Sequence, residues 1–267
     1  AKTYDPLVVI AETIFPNIRN TLKEHKIGYI DLNGNINIEA DNFLLKIEGD
    51  NKRYHHPEKH GRAFTKAGLK TILLFLVNEE KINDTYREIA KNTGIALGNV
   101  KLILDGLIDE GFVLRKNDRE LKLTNKKDLL QKWITGYNEK LKPTLLLGNF
   151  KFMKAGDFNK WKELKIDGEN TFWGGEAAGN IYTGYLLPQT LTLYTNEKKL
   201  DLMKKYRLIP DNKGNITVFE RFWRFGWEND NVVPPIIAYA DLLETNDRRC
   251  IETAQKIYEQ HLKNTIE

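Results

Sequence analysis

Two consecutive helix-forming segments and a short hairpin signal, all within residues 84–124, restrict the fold more than any other part of the chain. Asp84 is a suitable N-cap for a first helix, and Thr85 and Glu88 support its first turn. Gly94 suits a left-handed turn at the end of that helix. Three apolar residues at helical spacing form one face: Tyr86, Ile89 and Ala90. This pattern predicts an amphipathic helix that ends before Gly94.

A second helix is predicted directly after this turn. We expect Ile95 to be a buried turn residue and Gly111 to end the second helix. Its apolar face carries Val100, Ile103, Leu104, Leu107 and Ile108. Asn117-Asp118 is turn sequence between two short predicted strands, which contain Val113, Leu121 and Leu123. Helix, turn, helix and hairpin in this order predict a winged helix-turn-helix, which commonly places its second helix in the DNA major groove.

The start of the second helix is the predicted base-recognition surface. Asn99 can form two hydrogen bonds with adenine, and Lys101 can reach guanine or phosphate. Gly98 allows the backbone to approach the duplex closely. Basic side chains in the hairpin suit phosphate or the minor groove. The predicted DNA-binding residues are Thr85, Tyr86, Arg87, Leu97, Gly98, Asn99, Lys101, Arg115, Lys116 and Arg119.

The whole chain predicts an α+β fold with several domains. We expect an N-terminal helix-plus-small-sheet unit at residues 1–50, a basic linker at 51–62, the winged helix-turn-helix at 63–142 and a mixed α/β C-terminal domain at 143–267. Residues 7–26 have helical spacing interrupted by Pro16, which predicts two helices or one kinked helix. Asn33-Gly34 between alternating segments predicts a hairpin, which residues 43–48 extend into a small antiparallel sheet.

The basic linker contains further candidate ligands. Lys52, Arg53 and Arg62 are possible contacts to the DNA backbone. Three histidines also lie here, His55, His56 and His60, but their spacing matches no recognised metal site and no cysteine accompanies them. We therefore predict no metal and no cofactor.

Two features of the C-terminal domain can be interpreted in more than one way. The sequence Trp173-Gly-Gly-Glu176 begins a predicted helix, and its glycines can expose amides to an anion or allow tight packing. We favour packing. The aromatic group at Phe219, Phe222, Trp223, Phe225 and Trp227, interleaved with Arg221 and Arg224, can stack on unpaired bases or form a core with one exposed edge. We favour the core.

Composition narrows the class of protein. The chain has 267 residues, 41% of them hydrophobic, and a net charge of +4, which is compatible with nucleic acid but not diagnostic of it. The single cysteine, Cys250, excludes an internal disulfide and suits a reducing cytoplasm. The sequence contains no apolar segment long enough to span a membrane and does not begin as a signal peptide does, so we expect a cytoplasmic protein.

Two other classes of function remain open from the residues alone. One is a metal-dependent nuclease, because Asp31, Glu48 and Asp50 follow a predicted helix in a small sheet. The order Lys46-Ile-Glu48 is the reverse of the usual nuclease pattern, so we favour a structural module and predict no enzymatic activity. The other is a winged helix that serves only as a structural or protein-binding scaffold.

Several blocks resemble the AbiEi family of type IV toxin–antitoxin antitoxins, which are winged-helix transcriptional regulators. The resemblance runs from about residue 25 to the C-terminus, and the blocks that carry it are, in order, 61–70, 85–90, 94–98, 142–148, 173–178, 183–186, 233–242 and 252–254. Each block is weak alone, and their order and spacing together are specific.

The resemblance implies two activities. The winged helix would bind inverted repeats in the promoter of its own operon and repress it. The C-terminal domain would counteract a nucleotidyltransferase-like toxin encoded alongside, without a stable complex between the two proteins. Family members often have Thr-Val where this chain has Asn99-Val100, so the base contacts would differ.

Overall fold

The computed structural model describes residues 7–11, 14, 16–32, 34–40, 42–48, 62–117, 120–227 and 231–267. The chain forms two compact units, Ala1–Lys59 and His60–Glu267. The α+β class predicted from the sequence is confirmed, since the structure combines helices with sheets whose strands pair mostly antiparallel.

The N-terminal unit contains a four-stranded sheet and one helix. The strands are β1 (Val8–Ala11), β2 (Gly28–Asp31), β3 (Ile36–Ala40) and β4 (Phe43–Ile47), in the order β1-β2-β3-β4, and helix α1 spans Pro16–Glu24. β2, β3 and β4 pair antiparallel, as predicted, whereas β1 pairs parallel to β2. The Asn33-Gly34 hairpin prediction falls partly outside the described residues, but Gly34 has the positive φ of 78° that such a turn requires.

The prediction of helix throughout residues 7–26 was wrong for its first part. Residues Val8–Ala11 form a strand, with Val8 aligned to Gly28 and Ala11 to Asp31. β-branched Val and Ile favour extended backbone, and pairing with β2 supplies partners for the backbone groups. Over only four residues, a pattern of apolar side chains fits a helix and a strand equally well. The neighbouring strand β2 decides between the two.

The second unit begins with five helical segments and a hairpin. These are α2 (Lys66–Val77), a 3₁₀ segment (Glu79–Asn83), α3 (Tyr86–Thr93), α4 (Leu97–Asp109), and the strands β5 (Val113–Arg115) and β6 (Leu121–Leu123), which pair antiparallel. A short 3₁₀ turn at Arg62–Phe64 precedes α2. The apolar face predicted for α4 is buried at Val100, Ile103, Leu104 and Leu107, and Ile108 is half-buried. We call residues 62–124 the helix–hairpin unit.

The remainder of the second unit combines a five-stranded sheet with helices. After α5 (Lys126–Gly136) and a π-helical turn (Tyr137–Leu141), the elements are β7 (Leu146–Phe152), β8 (Thr171–Gly174), α6 (Gly175–Thr183), β9 (Leu191–Thr195), α7 (Lys199–Tyr206), β10 (Leu208–Pro210), β11 (Ile216–Glu220), α8 (Pro235–Glu244), α9 (Arg248–Ile257) and α10 (Lys263–Ile266). A 3₁₀ segment (Ala155–Glu163) follows β7. The sheet order is β10-β7-β11-β9-β8, with β9 and β11 parallel and the other pairs antiparallel.

One buried cluster extends through most of the second unit. It joins α2, α4 and α5 to the aromatic segment after β11 and to helices α6, α8 and α9. A second cluster lies between the sheet and α7, and includes Phe150, Trp161 and Tyr206. The helix–hairpin unit therefore shares its core with the C-terminal elements. The domain bounds proposed from the sequence, including the one at residues 142–143, stay predictions.

Candidate nucleic-acid interface

Helix α3 begins with a capping box formed by Thr85 and Glu88. Thr85 Oγ1 accepts from the Glu88 N–H at 3.3 Å, and Glu88 Oε2 accepts from the Thr85 N–H at 3.0 Å. The Glu88 carboxylate also accepts from Thr85 Oγ1 at 2.8 Å, and this bond, together with the one from the Thr85 N–H, lowers the pKa of Glu88. Asp84, predicted as the N-cap, is instead the residue before it and pairs with Lys81 at 3.1 Å. The cap moves by one residue because the reciprocal bonds to Glu88 require its partner three positions earlier.

The turn between α3 and α4 leaves the start of α4 open. Gly94 has a φ of 68°, and its N–H donates to Ala90 O at 2.8 Å, which ends α3 as predicted. Ala96 is the N-cap of α4 and provides no side-chain acceptor for the first amides of the helix. Leu97 is 48% exposed, and no atom lies within 4 Å of the position a Cβ would take at Gly98.

Arg62 and Asn99 meet at the surface of α4. Arg62 Nη1 donates to Asn99 Oδ1 at 3.0 Å, and the two residues are 37 positions apart. From the sequence, Arg62 was predicted to contact the DNA backbone and Asn99 the bases, without a contact between the two. No sequence signal links these positions, because the contact depends on the 3₁₀ turn at Arg62–Phe64 packing against α4.

The hairpin is held in place by Asn83. Its Oδ1 accepts from the Leu121 N–H at 2.8 Å, and its Nδ2 donates to Leu121 O at 3.0 Å. The amide group thus pairs with β6 as a neighbouring strand would. These two hydrogen bonds fix β6 relative to the 3₁₀ segment Glu79–Asn83, which precedes α3.

The hairpin cations lie beside carboxylates. Lys116 Nζ is 2.9 Å from Glu120 Oε1, and Arg115 Nη2 is 3.8 Å from Asp105 Oδ1. The hydrogen bond from Lys116 lowers the pKa of Glu120. All four side chains are more than 40% exposed, so these ion pairs are weak and open to competition from other anions.

The predicted DNA-binding residues fall into three groups in the structure. Exposed positions are Thr85, Tyr86, Arg87, Leu97, Gly98, Lys101, Arg115 and Lys116, with Arg62 also exposed. Asn99 is half-buried beside Arg62. Lys52, Arg53 and Arg119 lie outside the described residues. Whether any of them contacts DNA stays a prediction.

The aromatic segment after β11 is a core element. Phe222, Trp223 and Phe225 are buried, as the favoured interpretation expected. The Arg224 N–H donates to Asn92 O at 3.1 Å, which joins this segment to the end of α3. Arg221 lies over the rings of Phe172 and Trp223, with its guanidinium carbon 4.8 and 5.3 Å from their centres. Burial lowers the pKa of Arg221.

A buried polar cluster centred on Asp241 joins α5 and its π-helical extension to the sheet. Asp241 accepts from the hydroxyls of Tyr137 and Tyr194 at 3.2 and 2.9 Å and from Lys142 Nζ at 2.8 Å. Burial and the neighbouring Asp241 raise the pKa of both tyrosines. Burial alone would lower the pKa of Lys142, but its ion pairs with Asp241 and Glu244 outweigh this and raise it.

The Asp241 cluster also explains the Gly-Gly sequence at the start of α6. The Gly175 N–H donates to Asp241 Oδ2 at 3.1 Å, so the carboxylate of the chain itself satisfies this amide. Glu176 is buried and accepts from the Gln189 N–H and from Thr190 Oγ1, at 2.8 and 2.9 Å. These contacts agree with the packing interpretation. Asp241 was not identified from the sequence, because an aspartate within an apolar helix carries no motif.

The acidic residues of the N-terminal unit have structural contacts. Buried Asp31 accepts from the N–H groups of Ile14 and Asn35 at 3.3 and 3.0 Å, while Lys46 and Glu48 form an exposed pair at 3.4 Å. Asp50 and the three linker histidines lie outside the described residues. Among the residues that are described, no three His, Cys, Asp or Glu side chains are grouped to hold a metal ion. Within the same residues, no helix has both the length and the apolar character needed to cross a membrane.

The comparisons with known proteins identify one family. A family model described as "Transcriptional regulator, AbiEi antitoxin, Type IV TA system" matches residues 122–263, from β6 to the last helix. The match excludes α3 and α4. No curated protein and no solved structure matches the chain. Since the family model covers more than half of the 267 residues, the chain belongs to the AbiEi family, the transcriptional regulators and antitoxins of type IV toxin–antitoxin systems.

Proposed function

We propose that this AbiEi protein binds duplex DNA through its helix–hairpin unit, which we interpret as a winged helix-turn-helix with α4 in the major groove. The observation that carries the proposal is the uncapped, exposed start of α4, whose opposite face is fixed by four fully buried residues. A helix anchored on one side and open at its N-terminal end has the arrangement that recognition helices require.

Two exposed surfaces flank this helix start. The first turn of α3 carries Tyr86, 45% exposed, and Arg87. The hairpin carries Arg115 and Lys116. In a winged helix, the helix before the recognition helix and the wing both contact the sugar–phosphate backbone, which sets the register of the protein on the duplex.

Base recognition is assigned to Asn99 and Lys101. An asparagine recognises adenine by accepting a hydrogen bond at Oδ1 and donating one from Nδ2. The Arg62 bond to Oδ1 fixes which way the Asn99 amide faces and leaves the second lone pair of that oxygen for a base. A well-formed contact of this kind discriminates between bases by about 1–3 kcal/mol.

We further propose the biological setting implied by the family. The protein would repress its own operon by binding inverted repeats in the promoter, in the cytoplasm. Its partner would be a nucleotidyltransferase-type toxin, counteracted without a stable complex. The family match covers the C-terminal elements, which supports assigning the antitoxin activity to that half of the chain.

The proposal is tested by a mobility-shift titration with the DNA directly upstream of the gene, using random duplex as competitor and varying the salt. We expect a shift that resists the competitor and maps to a repeat. Affinity should fall by roughly 10²–10⁴ between about 50 and 200 mM salt, because cations of the protein release counterions from phosphate. If the folded protein bound specific and random DNA equally well, the proposed recognition of bases would be wrong.

A further inference from the structure

Arg224 lies against the turn between α3 and α4, although it belongs to the segment after β11, the middle strand of the five-stranded sheet. Its N–H donates to Asn92 O at 3.1 Å. A Cβ at Gly94 would be 2.6 Å from Arg224 Nε and 2.9 Å from its guanidinium carbon. The guanidinium therefore covers the Cα of Gly94, three residues before the first residue of α4.

The position of Arg224 is fixed on both sides. Its neighbours Trp223 and Phe225 are buried in the main core cluster of the second unit. The backbone bond to Asn92 does not depend on the side chain at position 224. The side chain thus emerges from a rigid segment, which limits the entropy lost when it binds a ligand.

Among the residues that the structure describes, the Arg224 guanidinium has no anionic partner. The residue is exposed, and within the described part of the chain it forms no ion pair or side-chain hydrogen bond. Its charge acts on Lys70 of α2, which is half-buried. Burial lowers the pKa of Lys70, Glu220 raises it and Arg224 lowers it further.

Two cations near one another destabilise the folded protein unless an anion separates or neutralises them. Glu220 offsets part of the charge at Lys70. No carboxylate of the described residues compensates Arg224, which is exposed and lies against the turn before α4. An arginine in this state suits a phosphate, since its planar fork can donate two parallel hydrogen bonds to phosphate oxygens.

We propose that Arg224 contacts a backbone phosphate of the DNA bound by α4, with the charge of Lys70 adding to the positive potential there. This inference rests on the proposed function and deepens it. The DNA surface would then include a residue of the C-terminal half, outside the helix–hairpin unit. Any event that displaces the segment of Trp223 and Phe225 from the core would also weaken DNA binding.

The test is the salt dependence of DNA affinity for wild type, Arg224→Gln and Arg224→Lys. Loss of one phosphate contact lowers the slope of log affinity against log salt by about 0.9. We expect Arg224→Gln to show this smaller slope and several-fold weaker binding to specific and random duplex alike. Arg224→Lys should keep the slope, because it keeps the charge.

Arg248→Gln is the matched control, since Arg248 carries the same charge on α9 and its side chain is 92% exposed. It should leave the slope as in wild type. Lys70→Gln is a second variant, which removes the neighbouring charge. Thermal unfolding is recorded for every protein to check that it is folded. An Arg224→Gln slope equal to that of wild type, in folded protein, overturns the inference. Absence of DNA binding by wild type would instead overturn the proposed function, so the two failures are separable.

Discussion

Arg62 Nη1 donates a hydrogen bond to Asn99 Oδ1 at 3.0 Å, so a residue of the 3₁₀ turn that precedes α2 orients a side chain on α4. The Asn99 amide is held in one orientation before any ligand arrives. This favours binding, because the side-chain order is already present in the free protein.

We predict that Asn99→Ala relaxes sequence preference, reducing the gap between specific and random DNA by about 1–3 kcal/mol. Arg62→Gln should act in the same direction through the loss of orientation, and the double variant should cost less than the sum of the two. Competition binding measures all three. Arg115→Ala is the comparison, since it should weaken specific and random DNA alike. Equal losses from Asn99→Ala on both DNAs would contradict the groove assignment.

A second prediction concerns the buried pair of Lys142 and Asp241. Their side chains are 11% and 2% exposed, so removing the cation leaves a carboxylate in a poorly solvated site. Lys142→Met should lower the free energy of unfolding by roughly 3–5 kcal/mol, measured by urea denaturation. Lys263→Met, which breaks an exposed pair with Glu259, should have a much smaller effect. Similar effects from the two variants would show that the Asp241 cluster contributes little to stability.

We predict that acid lowers the free energy of unfolding in part because Asp167 becomes protonated. Hydrogen bonds from Asn170 Nδ2 and the Glu169 N–H, with Lys205 nearby, lower the pKa of Asp167 to about 2. A carboxyl whose pKa is lower in the folded state stabilises the fold above its unfolded pKa, and this contribution disappears as pH falls from about 4 through 2.

The expected size is about 1 kcal/mol or less, because the side chain is about one-third exposed and solvent screens its interactions. Asp167→Asn should flatten the dependence of the urea midpoint on pH between 4 and 2 while costing stability at neutral pH. Glu163→Gln is the control for the loss of an exposed charge. An unchanged pH profile for Asp167→Asn would exclude this carboxyl as a source of acid sensitivity.

Gly94 and Gly111 form a matched pair for the last prediction. Both have positive φ, 68° and 75°, so alanine at either position should cost about 1–2 kcal/mol of stability. Only at Gly94 would the new Cβ also displace Arg224, because nothing lies within 4 Å at Gly111. Gly94→Ala should therefore weaken DNA binding more than Gly111→Ala at comparable loss of melting temperature. If both variants bind DNA with the same affinity, the turn at Gly94 and Arg224 does not contribute to the DNA-binding surface.

The sequence by itself determined the local elements of this protein. Helices α3 and α4, the left-handed Gly94 and the two hairpin strands follow from apolar spacing, capping and turn chemistry among residues close in the chain.

Only the tertiary structure decided the rest. Val8–Ala11 is a strand because β2 lies beside it, some twenty residues later. Arg62 reaches Asn99, Asp241 gathers Tyr137, Tyr194 and Lys142, and Arg224 covers Gly94. These contacts join residues from 20 to 130 positions apart along the chain, and local propensity carries no information about which distant partner satisfies a buried or charged group.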